Sequence, residues 1–270
     1  MAVSDLNRSL QYYTQTLGLE PIADARPQQG FVQLGARGSN SVLVELEHFP
    51  GIKPLARRKR LGLYHFALLL PTRPHLSSFV SHLQGIGASA GSADHLCSEA
   101  LYLVDPDGIS IEVYADRPRK EWIYDNGELI AAVEPLNFED LIRTSAGPWQ
   151  GMPAGTLMGH VHLYVGDLGE AARFYHHGLG LDKMTWRFPG ALFLAAGGYH
   201  HHVGVNTWAA GSQIASQEDA RMLFWEFVLP TEAARQETIR SLFAQGFPPR
   251  QDGSRWLVTD PWGITVALVV

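Results

Sequence analysis

Apolar and polar residues alternate through Gly159-His160-Val161-His162-Leu163-Tyr164-Val165, which predicts a buried strand. Glu170 to Leu179 follows with helical spacing and stops at Gly180. A last run, Tyr199-His200-His201-His202-Val203-Gly204-Val205-Asn206-Thr207-Trp208, follows Gly197-Gly198 and reads as another strand. Together they predict a β-α-β-β-β unit. The unit recurs. Val3-Ser4-Asp5-Leu6, Tyr12-Tyr13 and Leu17-Gly18-Leu19 line up without a gap on Val165-Gly166-Asp167-Leu168, Phe174-Tyr175 and Leu179-Gly180-Leu181. A second pair matches as well. Leu68-Leu69-Leu70-Pro71-Thr72 falls on Phe227-Val228-Leu229-Pro230-Thr231, and Val104-Asp105-Pro106-Asp107-Gly108-Ile109 on Thr259-Asp260-Pro261-Trp262-Gly263-Ile264. Asp-Pro-x-Gly between apolar runs signals a hairpin turn.

The predicted fold class is therefore α+β, with four βαβββ modules at about 1–55, 61–117, 156–209 and 220–270. Residues 1–117 form an N-terminal half, 118–155 a linker rich in Pro and Gly, and 156–270 a C-terminal half. The linker should carry a short helix from Asn137 to Arg143, capped by Asn137. Module one has only two residues ahead of its Val-Ser-Asp-Leu, so its first strand is expected to be missing. The preferred explanation is a true start upstream of Met1.

Composition narrows the class. A hydrophobic fraction of 46% supports a real core, and a net charge of −6 with pI near 6.0 argues against a nucleic-acid partner. The one basic run, Arg57-Arg58-Lys59-Arg60, reads as a solvated loop. Cys97 is the only cysteine, which excludes an intrachain disulfide and suits the cytoplasm. No apolar run reaches the ~18 residues of a membrane span, and no signal peptide is expected.

Candidate chemistry lies on the strands. Glu112 interrupts the apolar Ser110-Ile111-Glu112-Val113-Tyr114, and buried Glu is rare unless paired or metal-bound. His65 and His160 hold the same place in their strands, each six residues ahead of the turn that follows. Two imidazoles and one carboxylate make the facial triad of non-haem Fe(II) oxygenases. Module four is an internal control: there His65 corresponds to Phe224 and Glu112 to Ala267. Ligands needed only for folding would not be replaced so freely, so modules two and three should share the site. His162 faces the same side of its strand as His160 and is a rival ligand. His48, His75, His82, His176 and His177 fit solvated loops or polar helix faces. His95 suits a surface loop as well as a substrate contact. Phe66, Tyr114, Trp186, Phe188, Phe193 and Trp208 are candidates for an aromatic lining, though each also suits a core.

The pieces Gly62-Leu63-Tyr64-His65-Phe66-Ala67, Ser98-Glu99-Ala100-Leu101-Tyr102-Leu103, Asp105-Pro106-Asp107-Gly108, Gly159-His160-Val161-His162-Leu163 and Gly197-Gly198-Tyr199-His200-His201-His202 carry a resemblance, jointly and in this order. The chain resembles the vicinal oxygen chelate superfamily, with its glyoxalase/bleomycin-resistance/extradiol dioxygenase fold. Within it, the chain is most similar to the CatE-type catechol 2,3-dioxygenases. The resemblance implies metal ligands at His65, Glu112 and His160, and a catalytic histidine at His202, with His201 next. It implies a substrate-binding tyrosine at Tyr102, ten residues before Glu112; His95 and Tyr199 are further candidate substrate contacts. One departure is the split of the ligands between modules two and three. If modules instead paired one-with-two and three-with-four, His160 would face His202 and Glu226.

The implied reaction is extradiol cleavage of a small aromatic diol by O2 to a muconate semialdehyde, in aromatic hydrocarbon catabolism. The implied cofactor is Fe(II), Mn(II) being accepted by the same ligand set. A homo-oligomer is implied too. Two alternatives stand beside it. A glyoxalase- or isomerase-type metalloenzyme would want a fourth ligand, often a carboxylate, where His202 falls. A non-catalytic binding protein for an aromatic or drug molecule would tend to lose the ligands that His65, Glu112 and His160 retain.

Overall fold

The computed structural model describes residues 1–22, 29–55 and 60–270. Of the basic run, Arg57, Arg58 and Lys59 lie outside the described residues. The four repeats have one topology. Module one holds β1 (Ala2–Val3), α1 (Leu6–Gln11), β2 (Glu20–Pro21), β3 (Phe31–Gly35) and β4 (Val44–His48). Its sheet runs β1-β4-β3-β2. Module two holds β5 (Arg60–Leu69), α2 (Arg73–Gly85), β6 (Gly91–Asp94), β7 (Ser98–Val104) and β8 (Ser110–Asp116). Here too the first strand lies parallel to the last, which pairs antiparallel with β7, and β7 with β6.

Between the halves lie the short hairpin of β9 (Tyr124–Asp125) and β10 (Glu128–Leu129), and α3 (Phe138–Ile142). Asn137 caps α3 by accepting from Asp140 N at 3.1 Å, as its sequence predicts. Module three holds β11 (Leu157–Tyr164), α4 (Leu168–Ala171), β12 (Asp182–Thr185), β13 (Ala191–Ala195) and β14 (Val203–Asn206), with β15 (Gln213–Ile214) after it. Module four holds β16 (Phe224–Val228), α5 (Glu232–Ala244), β17 (Arg250–Asp252), β18 (Arg255–Thr259) and β19 (Thr265–Val269). Its sheet order, β16-β19-β18-β17, repeats that of module one.

The repeated motifs have local causes. The Asp of Val-x-Asp-Leu caps its helix: Asp5 accepts from Arg8 N and Asp167 from Glu170 N. The Asp of Asp-Pro-x-Gly closes its turn. Asp105 Oδ1 accepts from Asp107 N and Ile109 N, and Asp260 Oδ1 from Trp262 N and Ile264 N. Gly108 and Gly263 both take φ +81°, which an L side chain resists.

Three expectations are revised. The first strand of module one is not wholly missing: Ala2–Val3 remains and pairs in parallel with β4. The helix read from Glu170 to Leu179 starts earlier, at Leu168, and its turns over Ala172–Gly178 are π-helical, as are Tyr12–Thr16 in module one. Each π segment carries a buried tyrosine that donates to the turn aspartate: Tyr13 to Asp105 at 3.2 Å, and Tyr175 to Asp260 at 2.7 Å. Lastly, His200, His201 and His202 precede β14 rather than lying within it. Gly197 and Gly198, at φ +62° and +66°, turn the chain, and the ladder begins only at Val203.

The chain divides into two compact units. Unit one comprises Met1–Leu55, His65–His160 and Gln217–Ala220. Unit two comprises the described part of Ala56–Tyr64, with Val161–Ser216 and Arg221–Val270. The core of module two rests on α2, whose Leu76, Phe79, Val80 and Leu83 recur at helical spacing and are buried.

Candidate metal centre

Unit one contains the three predicted ligands, and the fold brings them together. His65 lies on β5, Glu112 on β8 and His160 midway along β11. The parallel pairing of β5 with β8 sets Ala67 opposite Glu112, so a small side chain leaves room beside the carboxylate. Glu112 Oε2 is 3.0 Å from His65 Nε2 and 3.2 Å from His160 Nε2, and the two nitrogens are 3.3 Å apart. All three residues are at most 3% exposed. His160 rests against the Tyr114 ring at 5.0 Å, and Tyr114 itself is fully buried. Gly159 is required there, because a Cβ would strike the Tyr114 hydroxyl.

The donor set fits a divalent first-row ion. Such an ion, bound at about 2.1 Å with right angles between ligands, separates neighbouring donors by about 3.0 Å. Burial, the strongest single influence, pushes the Glu112 carboxyl up. The charge and hydrogen bonds of His160 and His65 together outweigh it and hold the carboxyl well below the usual carboxylate range. A charged carboxylate and two imidazoles directed at one point can hold a cation.

Tyr102 and His95 lie beside this cluster in unit one. Tyr102 on β7 stands directly opposite Glu112 on β8, on the same face. Its ring meets the His65 ring edge-on at 5.6 Å. Tyr102 Oη and His95 Nε2 are 2.6 Å apart, and His95 Nδ1 reaches the carbonyl of Ala132 at 2.7 Å. A carbonyl only accepts, so Nδ1 carries the proton and Tyr102 donates to Nε2 of the neutral ring. Within unit one, His95 is thus tied into the structure rather than held in a loose surface loop.

Sequence comparison places the chain in a family. The model of the Glyoxalase/Bleomycin resistance protein/Dioxygenase superfamily matches residues 1–113. A catechol-2,3-dioxygenase of Bacillus subtilis is 36% identical over 265 residues, 97% of this chain and 92% of that protein. The chain belongs to this superfamily. Solved structures agree on the fold. One described as a dioxygenase from Bacillus subtilis superposes with TM-score 0.63 at 12% identity, over 99% of this chain and 82% of that one. Glyoxalase I from Zea mays superposes with TM-score 0.57 at 15% identity, over 99% and 89%.

A second histidine group lies in unit two. His202 Nδ1 accepts from Ala196 N at 3.2 Å, which puts the ring proton of neutral His202 on Nε2. Tyr199, nearly buried, makes tilted ring contacts with His200 at 4.0 Å and His202 at 4.9 Å. His201 packs edge-on to Phe193 at 4.9 Å, and its Nδ1 lies 2.7 Å from that of His200. His162 is buried, bonds Asn206 at 2.9 Å, and touches the rings of Tyr64, Phe193 and Trp208. Its ring covers Gly204, where a Cβ would come within 2.9 Å. Asn206 was not singled out in the sequence, although a polar residue ending an apolar strand was a signal. Of the aromatic candidates, Phe66 and Tyr114 are core, Trp186 is exposed, and Phe188, Phe193 and Trp208 cluster in unit two. Glu226, the alternative partner for His160, instead pairs with Arg255 at 3.3 Å.

Proposed function

We propose that this chain is an extradiol ring-cleaving dioxygenase acting on a catechol-type aromatic diol, with Fe(II) held by His65, Glu112 and His160. The observation that carries the reading is the buried cluster of three donor atoms at 3.0–3.3 Å. The 36% identity to a catechol-2,3-dioxygenase supports the reaction class. Fe(II) would supply a Lewis acid, a template for diol and O2, and a path for electrons between them. Both atoms of O2 end in the muconate semialdehyde as one ring C–C bond beside the diol breaks.

The chain's own residues divide the remaining work. One carboxylate and two neutral imidazoles leave a bound dication with net positive charge, which favours the deprotonated diol. Tyr102, whose own proton is directed to His95, accepts a hydrogen bond from the hydroxyl that a singly deprotonated diol retains. Tyr199 contributes a further substrate contact. His202 carries the catalytic proton transfers, with His201 as the second candidate. With Ala196 N donating to Nδ1, the neutral His202 ring carries its proton on Nε2, from which it can donate a hydrogen bond to an oxygen.

Mn(II) is the competing metal, since the same donors accept it. A homo-oligomer and a cytoplasmic location belong to the same reading; light scattering and fractionation test them. No helix among the described residues is long and apolar enough to cross a membrane. The deciding assay is anaerobic loading with Fe(II), then catechol and air in a spectrophotometer. A yellow ring-cleavage product is expected, and His202→Ala should lose it while keeping its iron. Bound metal without any product would favour a glyoxalase-like reaction instead.

A further inference from the structure

The turn between β6 and β7 is strained and held from several sides. Leu96 takes φ +68°, a left-handed conformation that a residue with a side chain disfavours. Such strain persists only where the surroundings over-determine it. Leu96 N donates to Asp94 Oδ1 at 2.9 Å, and Arg117 Nη2 donates to Asp94 Oδ2 at 2.6 Å. Arg117 N donates to Cys97 O at 2.8 Å, so this residue grips the turn on both sides of Leu96. From the linker, Glu134 exchanges two backbone hydrogen bonds with Asp94, each 2.9 Å.

The residue this scaffold presents is His95. Its backbone N donates to Ser98 O at 2.8 Å. Its ring spans from the Ala132 carbonyl to the Tyr102 hydroxyl, at 2.7 and 2.6 Å. The Ala132 bond selects the tautomer, and the tautomer selects where the Tyr102 proton points. If His95 rotated away from Ala132, Nδ1 would lose its acceptor and the alternative tautomer would become accessible. Tyr102 would then no longer have one required hydrogen-bond direction.

We propose that Arg117 is a positioning residue for the diol-binding tyrosine: through Asp94 it holds the Leu96 turn, which keeps His95 on Ala132 and sets the direction of the Tyr102 hydroxyl. This rests on the diol-cleaving reading of the triad. Arg117 acts through the turn and not on the substrate. The neighbouring Glu99 carboxylate, 1% exposed, accepts from Arg117 at 3.2 Å and is also held by Arg73, at 3.0 Å and through a second, shorter bond. It therefore stays paired when Arg117 is shortened.

The test compares wild type, Arg117→Gln and Arg117→Lys by two readouts. Steady-state kinetics use the Fe(II)-loaded enzyme with catechol; 15N-histidine NMR of the full chain reads the His95 tautomer. Arg117→Gln should lower kcat on the order of 10-fold, as loss of a supporting contact typically does, with KM changed less than about 2-fold and iron content unchanged. His95 should hold one tautomer, protonated on Nδ1, in wild type and a mixture in Arg117→Gln. Lys, which keeps the charge on Asp94, should restore most of both. Wild-type kcat in Arg117→Gln, or a fall in kcat with the tautomer unchanged, would overturn the proposal. If wild type cleaves no diol, the functional reading fails, while an unaltered tautomer in Arg117→Gln independently sinks the Arg117 link.

Discussion

Modules two and four are the same construction with opposite contents. In both, the first strand lies parallel to the last, and the registers match: His65 opposite Ser110 and Ala67 opposite Glu112, against Phe224 opposite Thr265 and Glu226 opposite Ala267. Backbone pairing is therefore indifferent to whether a histidine or a phenylalanine fills the position. Module two has a carboxylate facing an alanine, buried with two imidazoles. Module four has exchanged the two: its glutamate is on the first strand, exposed and paired with Arg255, and its alanine is buried on the last. What the modules share is the fold, and what they do not share is the candidate chemistry.

The largest effect should come from giving module two the residue of module four. Glu112→Ala removes the only charged donor of the triad. Metal content by mass spectrometry should fall to background, with ring cleavage lost alongside it. The reverse exchange should damage module four's stability instead. Ala267→Glu places a carboxylate at a fully buried site opposite Glu226, with no imidazoles to receive it. We expect a loss of about 3 kcal/mol or more in urea denaturation, without any gain in metal binding. A neutral outcome would mean that the two sites differ less than their surroundings suggest.

A somewhat smaller effect should follow from Gly159→Ala. The added methyl meets the Tyr114 hydroxyl, and Tyr114 supports the His160 ring. Overpacking of this kind costs about 1–3 kcal/mol, and here it should weaken metal affinity together with stability. Retained affinity with lowered stability would show that Tyr114 does not position His160.

The repeats and the triad were legible because they leave local signatures. A glutamate inside an apolar strand is conspicuous, and a paralogous module lacking it supplies a contrast within one chain. Cap and turn aspartates likewise repeat at fixed places. The rest depended on backbone geometry and long-range partners. Two successive glycines at positive φ postpone β14 past the three histidines, which a run of apolar and aromatic residues cannot reveal. The π-helical turns preserve the same apolar spacing as an ordinary short helix. Arg117 and Ala132 gain their relation to His95 only when β8 and the linker meet the β6–β7 turn.

The smallest effect concerns what the two halves share, the tyrosine–aspartate contacts. Burial raises both Asp105 and Asp260 from 3.8 to about 6, against the lowering pull of the backbone donors around them. A carboxyl raised on folding contributes its full stability below about pH 4 and loses it as pH climbs through about 6. Asp260→Asn should therefore flatten stability between pH 4 and 7 relative to wild type, and Asp105→Asn should do the same. Unequal slopes would show that the contacts, though alike in geometry, differ in energy.

The most direct test of the central claim is anaerobic Fe(II) binding to the purified chain and to Glu112→Ala, measured at equilibrium and followed by addition of catechol and O2. We predict one Fe(II) per wild-type chain with ring cleavage, and neither in the variant. Unchanged Fe(II) affinity and cleavage in Glu112→Ala would contradict the triad and place the chemistry elsewhere.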